Sequence, residues 1–369
     1  MGIPEKIKAI QDEMARTQIN KATEHHLGLL KAKIAKLKRE QEDSEVKKSS
    51  AKTDGFDVRR AGDATVVFIG LPSVGKSTLL NKLTGAKSAV GAFQFTTLTV
   101  VPGMMEYHGA KIQVLDLPGI IKGASSGKGL GKRILSVART ADLVLLVLDV
   151  FQPYHEDVLV NELGNIGIRL NQLPPNITIE KASMGGIAIA QQVKLTKISE
   201  QHLKDILHLY GIVSARVVIR EDITSEQLSD FIAGNISYSR SLTILNKIDL
   251  VDREFLKNLK TKIKSEVIEV SANADVNIDL LKEKIYEKLR FIRIYMRPKG
   301  GETDFKEPLI AREGDTVEDI CNKLHRRMKQ EFRYGMVWGK SVKFGGQRVG
   351  LGHILQDEDV LTIIKTRGV

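Results

Sequence analysis

A single cysteine, Cys321, among 369 residues excludes a disulfide within the chain and suits a reducing compartment. The eight histidines and that cysteine form no cluster at ligand spacing, so a structural zinc site is not expected. No run approaches the roughly 18 to 20 consecutive apolar residues that a membrane span needs, and residues 1–40 are too charged for a signal peptide. The expectation is a cytoplasmic protein without membrane contact. What the chain does have is an ordinary globular balance, 42% hydrophobic and 27% charged, with length for two or three domains. Its formal net charge of +11 attracts polyanions at long range and supplies counterion-release affinity for nucleic acid. The same charge also serves solubility alone.

Four regions separate along the chain. In residues 5–40, Ile7, Ile10 and Met14, then Leu27, Leu30, Ile34 and Leu37, recur at three- and four-residue spacing among lysines, which predicts two amphipathic helices. Their lysines suit RNA, while their apolar stripe suits packing on the rest of the protein. Residues 41–54 are polar throughout and are expected to be a linker. From Ala64 onward, apolar strands alternate with helices, and 111–117 and 143–150 are further buried-strand candidates. Such alternation implies an α/β fold with a mostly parallel sheet, helices on both faces, and ligands at the carboxyl ends of the strands.

The first of those ends carries Gly70, Leu71, Pro72, Ser73, Val74, Gly75, Lys76 and Ser77, followed by Thr78. This Gly-x4-Gly-Lys-Ser loop lets successive backbone N–H groups converge on phosphate oxygens, with a helix N-terminus behind them. Lys76 brings a point charge to the β- and γ-phosphates, and the Ser77 hydroxyl can take a place on Mg²⁺. Three further motifs follow, each closing an apolar strand. Asp116 with Gly119 can reach Mg²⁺ through water and touch the γ-phosphate. Asn246, Lys247 and Asp249 offer a carboxylate to the N1–H and exocyclic amino group of guanine, a donor pair that adenine lacks. Ser271, Ala272 and Asn273 are expected on the other side of the base. A charged hydrogen bond contributes about 1.5 to 3 kcal/mol, so a mismatch leaves an unpaired carboxylate and rejects adenine by about tenfold or more. Each short motif alone occurs by chance; the four in order point to GTP. Between the first and second, Phe95, Thr96 and Thr97 supply a hydroxyl for a Mg²⁺-sensing loop, and spacing does not choose between the two threonines.

The phosphate loop, Phe95-Thr96-Thr97-Leu98, the Asp116–Ala124 stretch Asp-Leu-Pro-Gly-Ile-Ile-Lys-Gly-Ala and the glycine-rich 127–131 together resemble the Obg superfamily of GTPases. Residues 21–28 (Lys-Ala-Thr-Glu-His-His-Leu-Gly) and 349–355 (Val-Gly-Leu-Gly-His-Ile-Leu) narrow the resemblance to the developmentally regulated GTP-binding (DRG) family over essentially the whole chain. The resemblance implies a basic helical hairpin and linker over 1–60, and a P-loop GTPase domain over 61–291. It implies also an inserted α/β subdomain over about 165–238, similar to the second domain of ribosomal protein S5, and a β-grasp TGS domain over 292–369. By the same resemblance Thr97 joins Ser77 on Mg²⁺, and Lys76, Thr97, Asp116 and Gly119 carry GTP hydrolysis. Ile120 stands where Ras-like proteins place the glutamine that orients water, so slow turnover awaiting a stimulating partner is expected. Some relatives hold a potassium ion on a phosphate-loop asparagine; here that place is Ser73, a poorer ligand. The glycine-rich 123–131 would act as switch II.

The insert contains helix-like 200–210 and 225–233 and strand-like 215–220, with no catalytic constellation; His202 and His208 are expected in packing or surface roles. In the last region 292–296 and 360–365 read as strands and 316–329 as one amphipathic helix. Arg326, Arg327, Lys329 and Arg333 lie near Phe332, Tyr334 and Trp338, an interleaving that suits RNA, although such aromatics also serve as core. The functional expectation is a GTP-hydrolysing switch acting with ribosomes or RNA in translation, with a zinc-finger regulatory partner if the source is eukaryotic. A nucleotide-controlled scaffold with incidental hydrolysis is the alternative, and a P-loop ATPase or kinase a third.

Overall fold

The computed structural model describes residues 2–18, 23–49, 61–85, 101–117, 137–152, 154–234, 236–263 and 265–366. Its elements begin with α1 (Ile3–Arg16) and α2 (Glu24–Ser49), then β1 (Ala64–Ile69), α3 (Lys76–Thr84), β2 (Val101–Tyr107), β3 (Ala110–Asp116), β4 (Leu143–Asp149) and α4 (His155–Asn165). Next come β5 (Ile168–Leu170), β6 (Ile177–Lys181), β7 (Ile187–Gln191), α5 (Glu200–Leu209), β8 (Ala215–Ile219) and α6 (Ser225–Ala233). After these are β9 (Ser237–Asn246), α7 (Arg253–Lys260), β10 (Val267–Glu269) and α8 (Ile278–Leu289). The chain closes with β11 (Phe291–Met296), β12 (Leu309–Arg312), α9 (Val317–Leu324), α10 (Arg326–Gln330), β13 (Phe332–Trp338), β14 (Gln347–Val349) and β15 (Asp359–Lys365). Two compact units result, one of residues 1–55 with 163–238, the other of 56–162 with 239–369.

In the first unit, strands run in the order β6-β8-β7, and helices α5 and α6 pack with α2 over a core that includes Ala32, Leu203, Ile206, Val217, Ile219 and Leu228. The helix starts are specified locally. Ser199 accepts from the His202 N–H, and Thr224 with Gln227 forms a reciprocal capping box at α6. Of the predicted stripe on α2, Leu30 is buried and Leu27, Ile34 and Leu37 are half-buried. The cations of α2 are also engaged. Lys36 Nζ donates to Leu209 O (2.9 Å), Lys38 Nζ to Asn165 O (2.9 Å) and Arg39 to Ile232 O (3.1 Å). Those three carbonyls belong to the last turns of α5, α4 and α6, where unpaired C=O groups and the negative dipole end favour a cation.

Residues 41–49 correct the linker expectation: they continue α2 to Ser49. Polarity marks a segment that buries little, but Gln, Glu and Lys are good helix formers, and extending a nucleated helix adds a hydrogen bond per residue without a new nucleation cost. His202 proves to be a packing residue. It is buried, its ring centroid lies 4.3 Å from that of His25, and burial, reinforced by the neighbouring His25, lowers its pKa. A Cβ on Gly28 would lie 2.4 Å from the His202 ring, so the signature segment 21–28 ends in the one residue type that lets α2 approach α5 this closely. His208 is exposed.

In the second unit the sheet order is β10-β9-β4-β1-β3-β2, parallel throughout except for β2, an antiparallel edge on β3. Every residue of β1 and β4 is buried, which is why these strands read as unbroken apolar runs. Leu79, Leu80 and Leu83 of α3 and Leu281, Ile285 and Leu289 of α8 fill the core beside them, each contributing about 1.5 to 3 kcal/mol by burial. The register sets Phe68 opposite Asp116 and Asp149 opposite Asn246, so the ends of β1, β3, β4 and β9 form one edge.

Residues 291–365 build a separate sheet, β12-β11-β15-β13-β14, around Ile294, Val317, Ile320, Cys321, Val337 and Leu361. Its acidic turn is an anchor: Arg293 binds Asp357 (2.7 Å) and Glu358 (2.9 Å), and this pairing raises the Arg293 pKa further. The expected single helix over 316–329 is instead two, α9 and α10, broken at His325. That residue is extended (φ −167°, ψ 139°), and its Nδ1 accepts from Arg327 N, starting the second helix. An apolar stripe across both segments conceals such a break, because side-chain periodicity resumes after it.

Tyr210 tests the docking of α2. Its hydroxyl donates to Ala32 O at 3.2 Å, and burial, with the nearby Asp230 charge, pushes its pKa up from 10.0 to about 12. A phenol with a raised folded pKa stabilises fully below its unfolded value and loses that contribution as pH rises through the folded one. Tyr210→Phe is therefore expected to remove a late phenol from an alkaline absorbance titration and to cost about 0.5 to 1.5 kcal/mol at neutral pH. An unaltered titration curve would remove this account of the docking.

Candidate functional site

The edge formed by the strand ends gathers loops far apart in sequence. β1 ends at Ile69 and the chain turns through Gly70, Leu71, Pro72, Ser73 and Val74 before α3 begins at Lys76, with Gly75 as its N-cap. Gly75 has φ +93°, and a Cβ there would lie 2.3 Å from Asn246 Nδ2. Any side chain would push the Asn246 loop away. Asn246, 2% exposed, donates from Nδ2 to Val74 O at 2.9 Å and accepts at Oδ1 from Ala272 N at 3.1 Å. One carboxamide thus ties the phosphate loop to the loops after β9 and β10.

Lys76 is 7% exposed and donates to Gly70 O (3.2 Å) and Leu71 O (2.9 Å). Burial lowers its pKa, with Asp116 partly opposing the shift. A cation held on two neutral carbonyls gains more from an anion, so this side chain is ready to turn to a phosphate. The adjoining Ser77 Oγ donates to Asp116 Oδ2 at 2.5 Å. Asp116 is 8% exposed, and its Oδ1 is buried without a partner among the described residues. An orphaned carboxylate oxygen beside a serine hydroxyl is the oxygen-only donor set that a hard divalent cation and its waters satisfy. The residues fit Mg²⁺.

On the base side, Ser271 is fully buried; its Oγ donates to Asp249 Oδ1 at 2.5 Å and accepts from Ala274 N at 3.0 Å. Ser271 thereby aims Asp249, which is exposed, while Ala272 is buried and Asn273 exposed. Lys247 adopts a left-handed backbone (φ 67°, ψ 32°), and its Nζ lies 3.1 Å from Asp149 Oδ2. Motif reading passed over Asp149. Its signal was available, since it closes the apolar strand β4 as Asp116 closes β3. Thr78 follows Ser77 in the first turn of α3, half-buried. Phe95, Thr96, Thr97, Gly119, Ile120 and the stretch 123–131 lie outside the described residues.

Among the described residues no helix is long and apolar enough to cross a membrane. Residues 65–181 match the model of a family described as "50S ribosome-binding GTPase", 184–291 that of its C-terminal region, and 292–365 the TGS domain. A GTP-binding protein of Methanocaldococcus jannaschii is 56% identical over 100% of this chain and 94% of its own. Developmentally-regulated GTP-binding protein 2 homolog of Dictyostelium discoideum is 50% identical (99% of this chain, 100% of that one), and human developmentally-regulated GTP-binding protein 2 is 46% identical with the same coverage. With likeness running from end to end and a P-loop α/β domain followed by a TGS domain, the chain belongs to the developmentally regulated GTP-binding protein family and is a GTP-binding GTPase.

Proposed function

We propose that this protein is a Mg²⁺-dependent GTP hydrolase, slow by itself, that acts as a cytoplasmic switch on ribosomes or RNA during translation. The observation that carries the nucleotide half is the pair of hydrogen bonds made by Asn246, which joins the loops expected to bind phosphate and base into one preformed edge. Gly70, Leu71, Pro72, Ser73, Val74, Gly75, Lys76, Ser77 and Thr78 would cradle the phosphates. Asn246, Lys247, Asp249, Ser271, Ala272 and Asn273 would hold guanine, with Asp249 presented to the base by Ser271.

Catalysis then rests on positioning and charge neutralisation. Lys76 leaves the Gly70 and Leu71 carbonyls for the β- and γ-phosphates. Ser77 and Asp116, hydrogen-bonded to each other, would hold Mg²⁺, with Thr97 and Gly119 expected to contribute beside them. Mg²⁺ held by these residues would supply neutralisation of the charge that develops on the phosphate oxygens. Ile120 cannot orient the attacking water, which argues for slow turnover until a partner or another group does so. Ser73 already adopts a left-handed backbone, φ 65°, a conformation in which asparagine is the better-tolerated residue. Because the Ser73 hydroxyl is a poorer cation ligand than an asparagine carboxamide, potassium dependence should be weak in the natural chain.

Support for the ribosomal half is the description of the matched family as ribosome-binding, together with the net charge of +11. A contact surface for RNA is best sought on β13 and β14. There the Arg348 guanidinium lies 4.7 Å from the centre of the Tyr334 ring, and Arg297, just after β11, lies 4.9 Å from that of Trp338, cation–aromatic pairs of the residue types that contact bases and phosphates. If the source is eukaryotic, a zinc-finger regulatory protein of the DRG class is the expected partner.

Asp249→Asn should weaken GTP by at least about tenfold and favour xanthine nucleotides; unchanged GTP affinity would falsify the base assignment. Ser73→Asn should raise the stimulation of turnover by potassium over sodium, and equal rates in both salts would sink the cation argument. Co-sedimentation with ribosomes is expected to depend on GTP against GDP. Binding that is salt-sensitive yet identical in every nucleotide state would leave only charge, and absent turnover with ribosomes and potassium present would favour the scaffold reading.

A further inference from the structure

We propose that Asp149 is a positioning residue for guanine-nucleotide binding, acting through Lys247. The proposal rests on the nucleotide reading of this edge and adds a residue outside its recognised motifs. Asp149 is 8% exposed at the end of β4, and β4 pairs with β9 so that Asp149 faces Asn246. Its two oxygens have separate tasks. Oδ1 accepts from Phe151 N at 3.0 Å and closes the turn after β4, while Oδ2 holds Lys247 Nζ at 3.1 Å.

A carboxylate this buried needs a cation, since removing the partner of a buried charge is far costlier than losing an exposed ion pair. Lys247 supplies it by reaching from the end of β9 to the end of the neighbouring strand. Its ammonium end is thereby fixed, with Asn246 and the exposed Asp249 close by in the chain. A free lysine side chain carries about 2 kcal/mol of rotamer entropy, part of which is lost on binding; one already tethered loses less. The left-handed backbone of Lys247 gives a second reason for the tether. For a side-chain-bearing residue that conformation is unfavourable by about 1 to 2 kcal/mol, and the ion pair holds it there. The tethered stem forms an apolar wall against which a purine can lie while Asp249 reads its edge.

The test uses the full chain and GDP, with Asp149→Asn, Lys247→Met and the double variant. Asparagine keeps the Oδ1 acceptor for Phe151 but turns an amide donor toward the Lys247 ammonium, so the turn survives and the tether does not. Asp149→Asn is expected to weaken GDP and GTP alike by roughly five- to fiftyfold. In the double variant the loss should stay within about threefold of Lys247→Met alone, because both changes cut the same link. Affinity within twofold of the natural chain, additive losses, or a lowered melting temperature with unchanged affinity would each overturn the proposal. Should Asp149→Asn not fold, Lys247→Arg decides: arginine keeps the charge pair, so retained affinity supports the tether and a loss equal to that of Lys247→Met overturns it. Failure of the natural chain itself to bind GDP would instead remove the nucleotide reading on which the proposal stands.

Discussion

Asn246 joins loops that lie 172 residues apart in the chain, and it can do so because its side chain holds one donor and one acceptor in a fixed plane. Val74 offers a carbonyl and Ala272 an N–H, so the amide meets each with the matching group. Aspartate would set an acceptor against the Val74 carbonyl, and an apolar residue would leave two buried backbone groups unpaired at about 1 to 3 kcal/mol each. The constraint extends to Gly75, where even a methyl group would collide with the amide. The loops after β1, β9 and β10 are thus coupled through one side chain, so displacement of one is felt by the others.

Rigid strands make such coupling possible. β1, β4 and the end of β9 are buried along their length, and a close-packed interior yields little. Against this frame the edge keeps several groups in states they would not choose alone. Lys76 is a cation on neutral carbonyls, Asp116 retains an unpaired buried oxygen, and Ser73 and Lys247 adopt left-handed backbones. A cation on neutral carbonyls and an unpaired carboxylate oxygen are the groups that an anion and a hard cation, respectively, would satisfy. Strain of about 1 to 3 kcal/mol per residue persists at sites where the surrounding structure over-determines the backbone.

Legibility in the sequence followed the same division. Motif residues and buried parallel strands were readable because both are local: apolar runs mark β1 and β4, and the motif residues follow directly at strand ends. What escaped depends on partners distant in sequence. Nothing local reveals that Ser271 aims Asp249, that Asp149 meets Lys247, or that β13 and β14 form strands, since those contacts depend on the neighbouring strand or loop. The linker reading of 41–49 failed for a different reason. Burial potential was used as a measure of order, whereas a helix already packed along Leu30 and Ala32 extends through polar residues by propensity alone.

The excess positive charge changes meaning once its locations are known. Read as a sum it suggests a polyanion partner, with the lysine-rich α2 as the natural place to look. Lys36, Lys38 and Arg39, however, close the carbonyl ends of three helices, and Lys31 pairs with Glu226, so much of that segment's charge completes the fold around it. Exposed pairs of this kind contribute little individually, about 0 to 1 kcal/mol, but together they fix the direction in which α2 lies on α5 and α6. Within the TGS domain the balance differs. Lys329 is paired with Glu318, whereas Arg333 and Arg348 lie near the Tyr334 ring, at 6.0 and 4.7 Å from its centre, and remain exposed. A guanidinium on an aromatic face keeps outward-pointing N–H donors for phosphate, which a helix-capping lysine has already used. Much of the charge on the segment richest in lysine is thus engaged within the fold, whereas on β13 and β14 exposed arginines lie beside an aromatic ring.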